Sequence, residues 1–359
     1  MKYMKTGSTD PCYNLAFEEY VLKNCKDDDY VLLWQNDNTI VFGVNQNPLE
    51  EINMDATKEL GVNIVRRTTG GGAVYHDMGN LNFSYITDWD DGESSSYARF
   101  LEPITKAFAK IGLKVVMKGR NDLLLDGKKI SGSAQRLLDG RILHHGTLLI
   151  DSDLGKISNV LNVSEDKIKS KGIKSVRSRV TNINAYADHK LDIEDIKNLL
   201  LDNWFNGEVN ETFFEEAQLA EIRDLADQKY RSWDWVYGRS PKFNYKNRMR
   251  FEGGSIEVNL EVEGGIIQQC IIISCTRSNL VQCIDHLNDT IKDSLRKDKA
   301  QISRCSRQCR YHKTLSDTFF CTSSSPNQIS ETLYDHTAAQ HIGEAGNTFT
   351  VTVAVFKWL

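Results

Sequence analysis

The sequence predicts an α+β protein, and three observations carry that expectation. Up to about residue 240, amphipathic helical stretches alternate with short strand-like runs, and no internal repeat is present. Two Asp-Gly pairs, Asp126-Gly127 and Asp139-Gly140, each lie between plausible strands, and Asp-Gly favours the type I′ turn of a two-residue hairpin. Beyond Pro241 the texture changes: Arg248 to Ser274 is nearly all strand-like, with Gly253-Gly254 and Gly264-Gly265 as turns. A boundary near residue 240 follows, with one domain over 1–240 and a smaller one over 241–359.

The elements can be justified in order. Asp10 to Asn24 predicts an amphipathic helix, with Pro11 near its start and Leu15, Tyr20 and Leu22 among its apolar positions. Tyr30–Trp34 and Thr39–Gly43 read as strands, separated by the turn-like stretch from Gln35 to Asn38. Leu81 to Tyr85 alternates apolar and polar residues, as a half-buried strand does. Further helices are expected at Phe100–Gly112, Lys156–Asn162 and Ile193–Phe205.

Composition excludes several classes. The 359 residues are 40% hydrophobic and 26% charged, which is ordinary for a soluble globular chain. A formal charge of -5 gives no reason to expect a nucleic-acid partner. No apolar run reaches the length of a membrane span, and the N-terminus lacks an apolar signal core, so a cytoplasmic location without membrane attachment is expected. Cys305 and Cys309 are four apart with His312 nearby, but no second cysteine pair completes a zinc-finger spacing.

The stretch from Val65 to Ile86 asks for a ligand. Arg66, Arg67, Thr68 and Thr69 precede three glycines, Gly70, Gly71 and Gly72, and then comes Ala73-Val74-Tyr75. Glycine costs about 0.5–1 kcal/mol per residue in ordered structure, so three together mark a tight turn or a cradle. The flanking arginines favour a cradle, since Arg suits bidentate capture of phosphate or carboxylate and bare backbone amides form an anion nest. The spacing fits neither a dinucleotide fingerprint nor a P-loop.

Lys118 to Asp151 predicts a three-stranded meander closed by the two Asp-Gly turns. Under strict alternation, Lys129, Ser131 and Ser133 share one face, and Asp122 sits opposite Ser131, diagonal to Lys129. A lysine, a carboxylate and hydroxyls on one face suit an anionic substrate with hydrated Mg²⁺, although an ordinary solvated sheet face carries the same residue types. The second turn pairs Ala134 with His145, which puts His145 on the face opposite Lys129. Either a bulge shifts the register, or the two touch a ligand from different sides.

Taken together and in order, six stretches resemble the lipoate–protein ligases over roughly residues 3–270. They are NLAFEEYVL, VFGVNQNPLEEIN, RRTTGGGAVYHDMGN, KGRNDLLLDGKKISGSA, HHGTLL and KGIKSVRSRVTNI. The resemblance implies a catalytic domain related to biotin ligases and class II synthetases, with a mixed, largely antiparallel sheet flanked by helices and a small accessory domain after it. It implies activation of lipoate by ATP and Mg²⁺ to lipoyl-adenylate, then transfer to a lysine of a lipoyl domain. Acceptors in the family are 2-oxoacid dehydrogenase E2 subunits and glycine cleavage H protein. Position by position, Arg67 and Gly72-Ala73-Val74-Tyr75 match nucleotide and adenylate contacts, and Lys129 matches the catalytic lysine at the acyl-phosphate. Asn80, Asn121, Asp122 and His145 match positions around the same intermediate, with Asp122 the candidate Mg²⁺ ligand.

A lipoyltransferase using preformed lipoyl-adenylate is the runner-up. An octanoyltransferase of the same fold would need a cysteine nucleophile, and only Cys12 and Cys25 lie in the catalytic region, away from the Lys129 meander. After Ser274 the sequence departs from the family. Six of eight cysteines and half of the eight histidines fall in 270–359, with little periodicity after Lys299. The tail reads as a divergent accessory region or as an out-of-frame extension. Ala300 to Gly346 is expected to pack loosely, and Thr348–Leu359 to alternate as an edge strand.

Overall fold

The structure is a computed structural model that describes the backbone of residues 1–89, 96–161, 168–170, 180–251, 254–264, 266–274, 309–313, 319–323 and 356–357. Backbone contacts divide the chain into two compact units, residues 1–244 with 262–265, and residues 245–261 with 266–359. The first unit opens with β1 (Lys2–Met4), α1 (Pro11–Asn24), β2 (Tyr30–Trp34), β3 (Thr39–Phe42), α2 (Pro48–Glu51) and α3 (Met54–Glu59). It continues through β4 (Asn63–Arg66), β5 (Val74–His76), β6 (Asn80–Asp88), α4 (Tyr97–Lys110), β7 (Val115–Lys118) and β8 (Asp122–Leu125). It closes with β9 (Lys128–Leu138), β10 (Arg141–Leu149), α5 (Leu154–Val160), α6 (Ile193–Phe205) and α7 (Glu216–Leu225). Tighter helical turns at Ala226–Tyr230 and Asp234–Gly238 follow.

Seven strands form the main sheet in the order β1-β2-β6-β10-β9-β8-β7. Only β1 and β2 run parallel, and the remaining pairs are antiparallel. A second sheet has the order β4-β3-β5, with β3 parallel to β4 and antiparallel to β5. The mixed, largely antiparallel α+β architecture is therefore as expected. β2 and β3 form as strands on either side of the turn-like stretch, but they do not pair and enter different sheets. Asn38 takes a left-handed φ of 40°, and the buried Asn36 side chain is tied to Asn14 and His76 instead of closing a hairpin.

Each helix forms for a readable reason. Asp10 caps α1, its carboxylate accepting from the amides of Cys12 and Tyr13, and Pro11 fills the first turn. The helix is buried along most of its length, and this includes two carboxylates, Glu18 and Glu19. Burial would raise the Glu19 carboxyl, but hydrogen bonds from Lys229, Lys23 and Tyr230 win and hold it at about 2. A capping box at Asp192 and Asp195 starts α6.

The main sheet separates two cores. On one face, α4 and α6 cover Leu33, Leu81, Phe83, Leu123, Leu125, Ile130 and Leu148. On the other, α1 and the second sheet pack with Leu32, Trp34, Ile86, Leu143 and the aromatic segment near Trp235.

Both Asp-Gly turns close as expected, with all four residues at positive φ. The first hairpin nevertheless departs from strict alternation. Leu125 pairs with Lys128 and Leu124 with Lys129, but Leu123 pairs with Ser131, so Ile130 is the extra residue of a β-bulge. Asp122 consequently lies opposite Gly132, not Ser131. Ser131 and Ser133 are turned away from Lys129, because Ile130 is drawn into the α4–α6 core.

In the second unit, strands Phe243–Phe251, Gly254–Glu263 and Ile266–Ser274 are neighbours in order, and Phe356–Lys357 pairs antiparallel with Ile266–Ile267 at the edge. Cys309–Lys313 and Phe319–Ser323 form a separate antiparallel pair. The rest of the predicted loose segment, and the side chains of Cys305, Cys309 and His312, lie outside the described residues.

Candidate active site

The glycine triplet links β4 to β5, and its shape is set by the arginine that precedes it. Arg67 is buried and turned inward. Its Nε donates to Thr69 Oγ1 at 2.9 Å, and its Nη atoms donate to the carbonyls of Val41, Gly70 and Gly72 at 3.0, 2.6 and 2.8 Å. Burial lowers the guanidinium to about 10, against a smaller opposing pull from the Glu18 carboxylate, so it stays charged at neutral pH. With the loop carbonyls turned to Arg67, the amides of Gly70, Gly71 and Gly72 donate to no group among the described residues. Gly71 sits at φ +91°, which a side chain would strain. The sequence pointed both arginines at an anion; in the structure their donors go to backbone carbonyls and to the hydroxyls of Thr69 and Ser240.

A buried polar chain runs from this loop under α1. Thr69 Oγ1 meets His145 Nε2 at 2.8 Å, and His145 Nδ1 meets Glu18 Oε1 at 2.8 Å. Ser84 Oγ donates to the same Glu18 oxygen at 2.6 Å and accepts from Trp34 Nε1 at 2.8 Å. Every member is satisfied when His145 donates from Nδ1 and accepts the Thr69 hydroxyl at Nε2. Beside this chain on β6, Asn80 Nδ2 donates to Asn82 Oδ1 at 2.9 Å, leaving Asn80 Oδ1 and Asn82 Nδ2 without partners. His76, packed edge-on against Trp34, accepts from Asn36 and has an unpartnered Nε2. Burial, aided by the Arg67 charge, depresses its imidazole to about 3, so the ring is neutral.

The bulge at Ile130 sets the face that Lys129 takes. Ala134 pairs with His145 as expected, and counting back through Gly132 and across the bulge puts Lys129 on the same face as His145. The open alternative is thereby decided in favour of a shifted register. Lys129 Nζ lies 2.9 Å from Asp122 Oδ1, with the side chains 24% and 30% exposed, so both can be reached by a ligand. A Cβ at Gly132 would stand 3.0 Å from Lys129 Nζ and would press on the end of that side chain. Asn121 Nδ2 donates to the Ser133 carbonyl and fixes the start of β8 against β9. The chain at Val180–Thr181 returns to Lys129, with the Thr181 amide on the Lys129 carbonyl at 2.9 Å. Lys129 and His145 thus lie on one face of the sheet, about 13–16 Å apart at about 3.3 Å per strand residue.

Tyr75 is buried, its hydroxyl donating to Asn38 Oδ1 at 2.9 Å, and it pairs with Ile40 in β3; Val74 pairs with Val41, and Ala73 packs on the α1 core. Arg67, Gly72 and His145 therefore gather at one end and Asn121, Asp122 and Lys129 at the other, while Asn80, opposite Leu149, lies along β6 toward the Lys129 end. Glu18, Trp34, Thr69, Asn82, Ser84 and His76 were missed from sequence. The available signal was two adjacent glutamates in an otherwise apolar helix face. Among the described residues no cluster of three metal-ligating side chains occurs. One accessible carboxylate at Asp122 fits a magnesium ion carried in on phosphates, which keeps most of its waters, and does not fit a resident metal. Both candidate cysteines are buried, and burial pushes Cys12 up to about 11 and raises Cys25, so neither is a poised nucleophile.

Comparison with known proteins places this arrangement. Residues 10–205 match the family described as lipoyl protein ligase A/B catalytic domain, and residues 240–318 the bacterial lipoate protein ligase C-terminus. The chain is 46% identical over 269 residues to a lipoate-protein ligase of Bacillus subtilis, covering 73% of this chain and 81% of the relative. It is 42% identical over 275 residues to lipoate–protein ligase 1 of Staphylococcus aureus, covering 76% and 84%. Among solved structures, a putative lipoate protein ligase of Thermoplasma acidophilum with bound lipoic acid superposes with TM-score 0.58 at 26% identity, covering 66% of this chain and 98% of that one. A lipoate-protein ligase A bound with ATP gives TM-score 0.57 at 26% identity, covering 67% and 100%.

Proposed function

Because this chain belongs to the lipoate–protein ligase family, we propose that its polar groove is where lipoate and ATP meet and that Lys129 is the catalytic residue. The protein is an ATP-dependent lipoate ligase. In the first step a lipoate carboxylate oxygen bonds to the α-phosphorus of ATP and pyrophosphate leaves. In the second, a lysine ε-amine bonds to the acyl carbon, AMP leaves, and the amine loses a proton. Both transition states gather negative charge on oxygen beside the acyl-phosphate link, and a positioned ammonium lowers that cost.

The observation that carries the assignment is the bulge at Ile130, which brings Lys129 onto the face of the glycine loop and His145. Lys129 is the one part-exposed cation among the groove residues named above; Arg67 is turned to its own loop. Gly72, Ala73, Val74 and Tyr75 form the backbone bed for the adenylate, with Arg67 holding that bed from behind. Asn80 and His145 border it; Asn121 and Asp122 orient Lys129, and Asp122 meets the Mg²⁺ that arrives with ATP. The acceptor is a lipoyl-domain protein, an E2 subunit or H protein. A solved neighbour is a bipartite lipoate protein ligase with its E2 lipoyl domain, which supports that class. Residues 1–240 act as the catalytic domain and 241–359 as the accessory one, in the cytoplasm. No helix among the described residues is long and apolar enough to cross a membrane.

The testing experiment is ATP–pyrophosphate exchange dependent on added lipoate, followed by mass analysis of a supplied lipoyl domain. Exchange together with a lipoyl mass gain on one lysine is expected. Transfer from synthetic lipoyl-adenylate without exchange would replace the ligase by a lipoyltransferase.

A further inference from the structure

Arg66 is fully buried, donates to carbonyls and one hydroxyl with no carboxylate among its partners in the described residues, and is not used by the chemistry above. Its Nη1 donates to the carbonyls of Gly43, Val44 and Gln46 at 3.4, 2.8 and 2.9 Å. Its Nε and Nη2 donate to the carbonyls of Trp235 and Val236 at 2.9 and 2.7 Å, and Nη2 to Ser240 Oγ at 3.0 Å. Trp235 Nε1 donates back to the Arg66 carbonyl at 2.8 Å, and the guanidinium lies over the Phe42 ring at 4.5 Å. One buried cation therefore ties the turn after β3 to a segment about 170 residues later in the sequence.

That turn is the wall against which the glycine loop rests. A Cβ on Gly43 would stand 2.3 Å from the Gly71 carbonyl oxygen, so the two backbones are in direct contact. The Val44 amide also donates to the Thr69 carbonyl at 2.9 Å. Arg67 grips the loop from inside; Arg66 grips its wall from outside. We propose that Arg66 is a positioning residue for nucleotide binding, making the glycine loop's geometry depend on the 235–240 segment. This rests on the assignment of that loop to ATP. It also means that the working catalytic unit extends to Ser240, beyond the 10–205 stretch that matches the catalytic family.

The test is the KM for ATP and for lipoate in lipoate-dependent exchange by the full chain, with thermal unfolding alongside. Displacing a site by about 1 Å can cost about 10²-fold, so Arg66→Met is expected to raise the KM for ATP about 10-fold or more. The KM for lipoate should move less than about 3-fold, and Arg66→Lys should recover part of the loss, since one ammonium reaches one set of carbonyls. Trp235→Phe, which removes only the donor to the Arg66 carbonyl, should raise the ATP KM by a smaller factor; it decides the matter if Arg66→Met does not fold. Equal movement of both KM values with a lowered melting temperature, or an unchanged ATP KM, overturns the proposal. Gly71→Val in the same assay separates the two claims. If it leaves ATP binding intact, the loop assignment itself fails. If it abolishes binding while Arg66→Met and Trp235→Phe do not, only the positioning role falls.

Discussion

The two faces of the seven-stranded sheet use alternate residues of the same strands. On β6, Leu81 and Phe83 enter the core under α4 and α6, while Asn80, Asn82 and Ser84 turn toward α1. On β9, Ile130 enters the first core and Lys129 the groove. The α4 side is mostly apolar, but it too buries polar groups: His144, stacked on Phe100 at 4.7 Å, and Ser131, with His144 Nε2 and Ser131 Oγ lacking partners. The α1 side buries a carboxylate, a histidine, hydroxyls and amides, and leaves Asn80 Oδ1 and Asn82 Nδ2 without partners. An unsatisfied buried polar atom costs about 1–3 kcal/mol, and both faces carry such atoms; what sets the α1 face apart is the connected chain from Thr69 through His145, Glu18 and Ser84 to Trp34. The difference separates what holds the protein together from what it is built to bind.

Erasing the bulge is the most severe way to break that division. Inserting one residue between Leu123 and Leu124 would give Ile130 a partner and restore strict alternation on β9, turning either Lys129 or the residues from Ser131 onward to the opposite face. Exchange activity should vanish, with a stability loss of several kcal/mol in urea unfolding, since core side chains or the cation are misplaced. If the insertion kept activity, the register argument would be wrong.

Truncating the apolar face should do the reverse. Phe83→Ala is expected to cost about 3–5 kcal/mol of stability, while the folded fraction keeps its exchange rate. Selective loss of activity with stability intact would contradict the separation of roles.

Acid sharpens the contrast next. Burial holds His76 and His144 at about 3, below their ordinary 6.5, so both are neutral in the fold and protonate more readily unfolded. Their contribution is complete above about pH 6.5 and is lost as pH falls toward 3, at about 1.4 kcal/mol per pH unit for each histidine in that window. Melting temperature measured from pH 7 to pH 5 should fall, and His144→Phe should flatten the slope. An unchanged slope would mean that His144 is not held neutral by its aromatic surroundings.

The smallest effect belongs to the thiols. Cys12→Ser and Cys25→Ser should each leave exchange and transfer rates unchanged, because both thiols are buried and raised. Loss of transfer alone would revive a thioester route.

Much of this was legible before the structure. Both Asp-Gly turns, the Ala134–His145 pairing and the Asp122–Lys129 pair follow from turn chemistry and period-two alternation. The bulge was open as one of two alternatives, because an extra residue has no local signature when its neighbours are Lys129 and Ser131; what selects it is the pull of a distant core on Ile130. What Glu18 and Arg66 would bind was illegible for a related reason. Their partners lie 127 and 170 residues away, and a buried charge satisfied by remote carbonyls or a remote histidine looks, in sequence, like any surface charge.

Lipoate-dependent ATP–pyrophosphate exchange by Lys129→Ala tests the central claim most directly. Lys129 sits at the open end of the polar face and contributes little to packing, so its removal should lower exchange by about 10²–10³-fold. Unfolding free energy should stay within about 0.5 kcal/mol of the parent. Exchange near the parent rate, in a protein equally stable, would show that the face with the bulge is not where lipoate is activated.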